Sequence, residues 1–242
     1  MKARSSDLCT ECPVYGSCAL AKLEAFPPAE RPIDNVHYGS AKTYRSGEYL
    51  LLRQSYMHFL APTICRGLVA VLVINKEGEE ILLHALGPGS IVGLSDWLQR
   101  TSSFSLAAKA VTDMTINVVT INEPVTLLKR SDACLEQIDA HIQTMQRATL
   151  CARCKDSSTR MLLAIHELIR LLQLKRDSPV IIPYNIPRWF FASYTELRPE
   201  TVSRILTRLR NEGLIAYRKR LLVIPDLPKL VRRVHQYSSS PD

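Results

Sequence analysis

The stretch Arg198-Pro-Glu-Thr-Val-Ser-Arg-Ile-Leu-Thr-Arg-Leu-Arg-Asn-Glu-Gly213-Leu-Ile215 decides the fold. Pro199 suits the first turn of a helix, where its missing N–H costs nothing. Gly213 suits a helix stop. Between them Val202, Ile205, Leu206 and Leu209 fall on one face, which should be buried. Glu200, Ser203 and Arg204 stand at i, i+3 and i+4 and share the opposite face, which Arg208 extends by a turn. Upstream, Pro187 sits in the first turn of a short helix running through Trp189, Phe190 and Ala192, and a turn around 195–198 links the two helices. Downstream, Ile215–Tyr217 and Leu221–Ile224 flank Arg218-Lys-Arg220, the tip of a basic hairpin. Two helices joined by a tight turn and followed by such a hairpin predict a winged helix-turn-helix.

The polar face carries base-reading chemistry. Arg204 has the fork to donate to guanine O6 and N7, Glu200 accepts from a cytosine N4 amine, and Ser203 suits a base edge or a thymine methyl. Arg198, Thr201 and Arg208 complete the candidate DNA-binding set. Charge distribution agrees. The net charge is +8, but residues 1–155 hold 16 Lys+Arg against 15 Asp+Glu, whereas residues 156–242 hold 15 against 8. The excess cation therefore lies beside the recognition-type helix, where duplex phosphates require it.

Ahead of this region the periodicity changes twice. From about 37 to 125 short apolar runs alternate with turn residues. Arg45-Ser-Gly-Glu48 precedes Tyr49–Leu52, Arg66-Gly67 precedes Leu68–Ile74, Asn75-Lys-Glu-Gly78 precedes Ile81–Leu86, Gly87-Pro-Gly89 precedes Ile91-Val-Gly93, and Val111–Ile121 follows. Strands at this spacing predict an antiparallel barrel or jelly roll. From about Asp132 the apolar residues Leu135, Ile138, Ile142 and Met145 recur at alternating steps of three and four. That is a helix with a narrow seam, suited to a second copy of the chain or to packing on its own barrel. A further helix has Ser157 or Ser158 as its expected N-cap and Met161, Leu162, Ile165, Leu168, Ile169 and Leu172 as its apolar face. The expected class is α+β: a cysteine-bearing segment (1–30), an N-terminal antiparallel β-roll (31–130), a long dimerisation helix (131–156) and a C-terminal winged helix-turn-helix domain (157–242).

Residues 9–18 read Cys9-Thr-Glu-Cys12-Pro-Val-Tyr-Gly-Ser-Cys18, and the chain has seven cysteines. The first twenty residues show no signal-peptide core, and no apolar run is long enough to cross a bilayer, which predicts a cytoplasmic protein. An odd number of cysteines in that setting argues for a metal, a cluster or thiol redox chemistry rather than a disulfide scaffold. Zinc is the plain alternative for the trio; the x2, x5 spacing favours a cluster over the paired CxxC arrangement of structural zinc. There is no Ser–His–Asp arrangement, Gly-rich phosphate loop or HExxH, so the chain is not expected to be an enzyme. An iron–sulfur or thiol redox enzyme with a basic domain is the rival from another class.

Arg198-Pro-Glu-Thr-Val-Ser-Arg204 with Asn211-Glu-Gly-Leu-Ile215 resembles the winged helix-turn-helix of the CRP/FNR superfamily. The order of roll, long helix and helix-turn-helix resembles that family over nearly the whole chain, and Gly47, Gly67, Gly78 and Gly89–Gly93 fall where its β-roll turns. The triplet Glu200, Ser203 and Arg204 is similar to the FNR branch, associated with palindromic TTGAT-type half-sites. One departure is that the family's inter-helix turn carries Gly, whereas this chain has Thr195-Glu196 there.

The resemblance implies a homodimeric transcription regulator working with RNA polymerase, as an activator or a repressor. It also implies a [4Fe–4S] cluster, because Cys9, Cys12 and Cys18 are spaced like the N-terminal ligands of FNR-type oxygen sensors. In those proteins a distant cysteine completes the set. The position resembling it is Asn117 here. Cys65 is the substitute the resemblance favours, since it puts the turn before Gly67 near the strand of Asn117. Cys151 and Cys154, on one helix face, come next, and Cys134 is left. Other signals stay open, namely nitric oxide, a thiol oxidant, or carbon monoxide at a haem with His58 or His84 as candidate ligands. Cyclic nucleotide is disfavoured, because Ser102-Ser-Phe-Ser-Leu-Ala107 offers no arginine for a cyclic phosphate.

Overall fold

The structure is a computed structural model that describes residues 18, 36–50, 59–93, 106–121 and 132–238. Six strands come first: β1 (Val36–Tyr44), β2 (Phe59–Arg66), β3 (Val69–Ile74), β4 (Glu80–Leu86), β5 (Leu106–Ala110) and β6 (Met114–Ile121). They form two antiparallel three-stranded sheets, ordered β1-β6-β2 and β4-β3-β5. Their facing sides enclose Leu50, Ile64, Val69, Leu86, Val92, Ala108, Ala110, Met114 and Ile116. This is the expected roll.

Turn chemistry closes it. Gly67 has φ +92°, and a Cβ there would lie 2.5 Å from the Met114 Cβ and 2.7 Å from the Asp113 carbonyl oxygen. Only glycine lets the β2–β3 and β5–β6 turns approach so closely. The expected strand at 91–93 is reduced to a single bridge, Thr63 to Ile91. The run from Tyr49 likewise gives a bridge to Lys109, and residues 51–58 lie outside the described part. Conversely, β1 and β2 were not marked by apolar runs. The sequence VHYGSAKTY is mostly polar, and β2 carries Pro62, which weakens any strand signal.

Next comes α1 (Asp132–Arg153), then α2 (Ser157–Leu171). The N-cap of α2 is Asp156, not Ser157 or Ser158. Its carboxylate accepts from the Thr159 backbone N–H and hydroxyl, both at 2.7 Å. A carboxylate at a helix N-terminus gains from the dipole as well as from capping, and so outcompetes a neighbouring hydroxyl.

The C-terminal region contains β7 (Val180–Ile181), α3 (Arg188–Thr195), α4 (Pro199–Asn211), β8 (Ala216–Arg218), β9 (Leu221–Ile224) and α5 (Leu227–Ser238), with the sheet ordered β7-β9-β8. One continuous apolar core joins the outer face of the roll (Leu68, Ala70, Leu72, Ala85) to α1 (Ala148, Cys151), α2 (Met161, Leu162, Ile165, Leu168) and the helix-turn-helix (Phe190, Val202, Leu206, Leu209). Tyr184 accepts from the Gly67 N–H at 3.1 Å, and Lys109 lies over the Trp189 ring, 5.1 Å from its centroid. At Gly87 a Cβ would lie 1.9 Å from the Leu171 carbonyl oxygen, so the end of α2 rests directly on the roll backbone.

Candidate nucleic-acid interface

Pro199 occupies N1 of α4, and Arg198, at φ −66° and ψ 145°, is its N-cap. The predicted apolar face is in place, with Val202, Ile205, Leu206 and Leu209 all buried. The opposite ridge is open to solvent: Arg198, Glu200, Ser203, Arg204 and Arg208 are exposed and Thr201 is half-buried. Arg204 and Glu200 enter no ion pair among the described residues, whereas Arg208 lies 3.7 Å from Glu212. The ridge thus presents a guanidinium, a carboxylate and a hydroxyl whose hydrogen-bonding groups are not spent on the protein.

The turn before it keeps its geometry without glycine. Glu196 adopts the left-handed conformation (φ +52°, ψ +39°), and its N–H donates to the Ala192 carbonyl. Thr195 is fully buried and its hydroxyl donates to the Phe191 carbonyl at 2.6 Å. Arg160 of α2 donates to the Thr195 carbonyl at 3.0 Å and to the Cys154 carbonyl at 2.7 Å, tying the turn to the end of α1. These contacts hold a backbone conformation that is uncommon for a side chain other than Gly, Asn or Asp. Pro187 stands at the N-cap of α3, one position outside the expected first turn.

The wing has the expected position. Arg218 pairs with Leu221, leaving Lys219 (φ +49°) and Arg220 (φ +68°) as a two-residue tip. Two successive positive φ values are the type I′ pattern that fits hairpin twist. Between wing, α3 and the end of α4 lies a cleft of about 530 Å³ whose lining includes Arg188, Arg210, Tyr217 and Arg220. Arg188 and Arg210 were not singled out from the sequence. Their signal is weak, since each arginine's role appears only once β8 and β9 fold back beside the helices.

The seam of α1 is exposed in the single chain: Leu135 by 58%, Ile142 by 47% and Met145 by 46%, with Ile138 half-buried. The inward face of the same helix is His141, Thr144, Ala148 and Cys151, again at steps of three and four.

Of the cysteines, Cys9 and Cys12 lie outside the described residues, and so does the side chain of Cys134. Cys65 is half-buried at the extra position of a β-bulge, where Ile64 pairs with Ile116 and Arg66 with Thr115. Asn117 pairs with Thr63 on the same strand, so Cys65 stands beside the position the resemblance assigned to a distant ligand. Cys151 is 1% exposed; its thiol lies 3.3 Å from the Arg160 carbonyl, and burial pushes it up to about 12. Cys154 is half-buried. Among the described residues no three His, Cys, Asp or Glu converge as a metal-binding group. His58 is not described, and His84 is buried against α1.

A roll, a long helix with an apolar outer seam and a winged helix-turn-helix make up a CRP/FNR-like fold. Residues 166–233 match the Crp-like helix-turn-helix domain. The chain is similar in fold to a CRP-family transcriptional regulator from Thermus thermophilus, TTHB099, at 21% identity and TM-score 0.63, covering 80% of this chain and 96% of that one. It is similar to FixK2 from Bradyrhizobium japonicum at 19% identity and TM-score 0.64, covering 84% and 98%. A third likeness is to CLP, the c-di-GMP responsive global regulator of Xanthomonas campestris, at 15% identity and TM-score 0.55, covering 78% and 94%. No curated protein matches the chain in sequence. No described helix is long and apolar enough to cross a membrane.

Proposed function

We propose that the chain is a cytoplasmic transcription regulator that binds a palindromic operator as a homodimer and engages RNA polymerase there. The observation that carries this is the solvent-facing ridge of Glu200, Ser203 and Arg204 on a helix seated by Val202, Leu206 and Leu209, within a segment that matches the Crp-like domain. Wing cations at 218–220 supply phosphate contacts, which fix register, while the ridge reads base edges. The exposed seam of α1 pairs with its copy, so that two α4 helices enter successive major grooves about one helical turn apart. Binding of the purified chain to a duplex carrying TTGAT-type half-sites, against a scrambled duplex, tests this. Affinity that falls steeply with added salt and depends on sequence supports it; equal affinity for both duplexes overturns it.

The sensing half of the proposal is an iron–sulfur cluster held by Cys9, Cys12, Cys18 and Cys65. Four thiolates are the donor set such clusters use, and the half-buried Cys65 on its bulge fits an edge ligand better than the sealed Cys151 thiol. When bound, a [4Fe–4S] cluster supplies sensitivity to oxygen and redox state. The chain's own part is to gather the N-terminal cysteines against β2 and thereby against the roll that carries α1. Iron, sulfide and zinc analysis of anaerobically purified protein, with absorbance before and after air, tests it. About four iron and four sulfide per protomer with visible absorbance lost in air support it. Zinc alone, or reversible thiol oxidation without metal, overturns the cluster while leaving the DNA-binding proposal intact.

A further inference from the structure

His84 of β4 and His141 of α1 meet where the long helix crosses the roll. Their ring centroids are 5.8 Å apart and the rings are inclined by 66°. His84 is 6% exposed, and neither of its ring nitrogens has a hydrogen-bond partner among the described residues. His141 is fixed by a hydrogen bond to the backbone of Ile91, while its Nε2 is buried with no partner among the described residues. One turn earlier on the same helix face, the Gln137 Oε1 is also buried with no partner among the described residues. Burying polar atoms with nothing to bond costs roughly 1–3 kcal/mol each. Four such atoms, on three side chains of facing elements, find no partner among the described residues.

We propose that His84 and His141, with Gln137 beside them, form a binding site for a divalent first-row transition-metal ion at the joint between roll and long helix. Metal–nitrogen bonds of about 2.0–2.1 Å put the centroids of two imidazoles on one ion roughly 5–6 Å apart, as found here. A ligating imidazole characteristically has its other nitrogen held by a backbone or carboxylate acceptor, and Ile91 does this for His141. Burial of both rings disfavours the charged form and so favours the one that donates a lone pair. Among the described residues the one ionisable side chain acting on either ring is the other histidine, His141 on His84. The ion would therefore be held by neutral donors, which suits the imidazole-preferring metals zinc, copper and nickel rather than calcium or magnesium. His141 and Gln137 are only partly buried and give solvent and the ion a route in. A bound ion would join α1 to β4 and so fix the seam of Leu135, Ile138, Ile142 and Met145 relative to the roll.

The test uses the full chain with Cys9, Cys12 and Cys18 replaced by serine, which removes the N-terminal thiols that the proposed cluster needs. Copper(II) titrated into this protein should bind at one ion per protomer and give an electron paramagnetic resonance spectrum with hyperfine splitting from two imidazole nitrogens. His84→Leu and His141→Leu should each weaken Zn²⁺ binding by at least tenfold in calorimetric titration. Helix content and melting temperature, measured alongside, establish that each variant folds. The spectrum of the parent chain needs no histidine variant, so the proposal stays testable if either variant unfolds. A spectrum without two-imidazole coupling, no stoichiometric binding, or unchanged Zn²⁺ affinity in both folded variants would overturn it.

Discussion

Arg170 on α2 donates to the Thr144 hydroxyl on α1 at 2.8 Å, while its Nε lies 2.9 Å from the carboxylate of Glu167. Glu167 is 5% exposed, and that guanidinium is its ion-pair partner among the described residues. Thr144 is itself anchored by donating to the Ala140 carbonyl at 2.8 Å. The ion pair thus connects the DNA-binding half to the inward face of the long helix. Arg170→Ala strands a buried carboxylate, and we expect a loss of about 3 kcal/mol or more of unfolding free energy. Arg170→Ala with Glu167→Gln should recover part of it. Urea denaturation of both variants measures this, and a loss below about 1 kcal/mol would contradict the assigned role.

The α1 seam carries a prediction about assembly. Ile142→Glu places a charge on a surface that is 47% exposed in the single chain, so the protomer should keep its fold. Two such charges facing each other at a helix pair disfavour the dimer. Sedimentation should show monomers, and operator affinity should fall with them. A dimer of unchanged stability would place the interface elsewhere.

Much of this was legible in the sequence, and what was not has a physical cause. Helix α4 announces itself because Pro199, Gly213 and the steps between Val202 and Leu209 all agree. The outer seam of α1 was readable because apolar residues mark it. The inner face was not, since His141, Thr144, Ala148 and Cys151 are small or polar and carry no hydrophobic period. The cap of α2 went to Asp156 over the adjacent serines because charge and hydrogen bonding act together there. The cleft of Arg188, Arg210 and Arg220 depends on long-range packing of wing against helices, which no local pattern encodes.

Cys151 predicts an alkaline limit to stability. Its thiol holds its proton to about 12 in the folded chain because of burial, above its ordinary value near 9. The folded state therefore binds more protons between those values, and stability must fall as pH rises from about 9 towards 12. Tyr194, also raised by burial, acts in the same direction. Cys151→Ala should flatten part of that decline in denaturation measured at pH 8, 9 and 10. In the native protein at pH 8 the thiol should resist iodoacetamide, and rapid alkylation there would contradict its sealed position.

The wing allows charge to be removed without disturbing shape. Lys219 and Arg220 both hold positive φ, which Asn and Gly adopt more readily. Lys219→Asn with Arg220→Gly should therefore leave the melting temperature unchanged or raised. If both cations touch phosphates, the slope of log affinity against log salt should shrink by about 0.9 for each. An unchanged slope would remove the tip from the DNA contact.

The most direct test of the central claim is operator binding by Arg204→Ala. Arg204 is exposed, enters no ion pair among the described residues, and lies opposite the buried face of α4. Its loss should leave folding and dimerisation intact while abolishing discrimination between the palindromic operator and a scrambled duplex, with weak salt-sensitive binding retained for both. Full operator specificity in the folded variant would contradict the assignment of α4 as the helix that reads DNA.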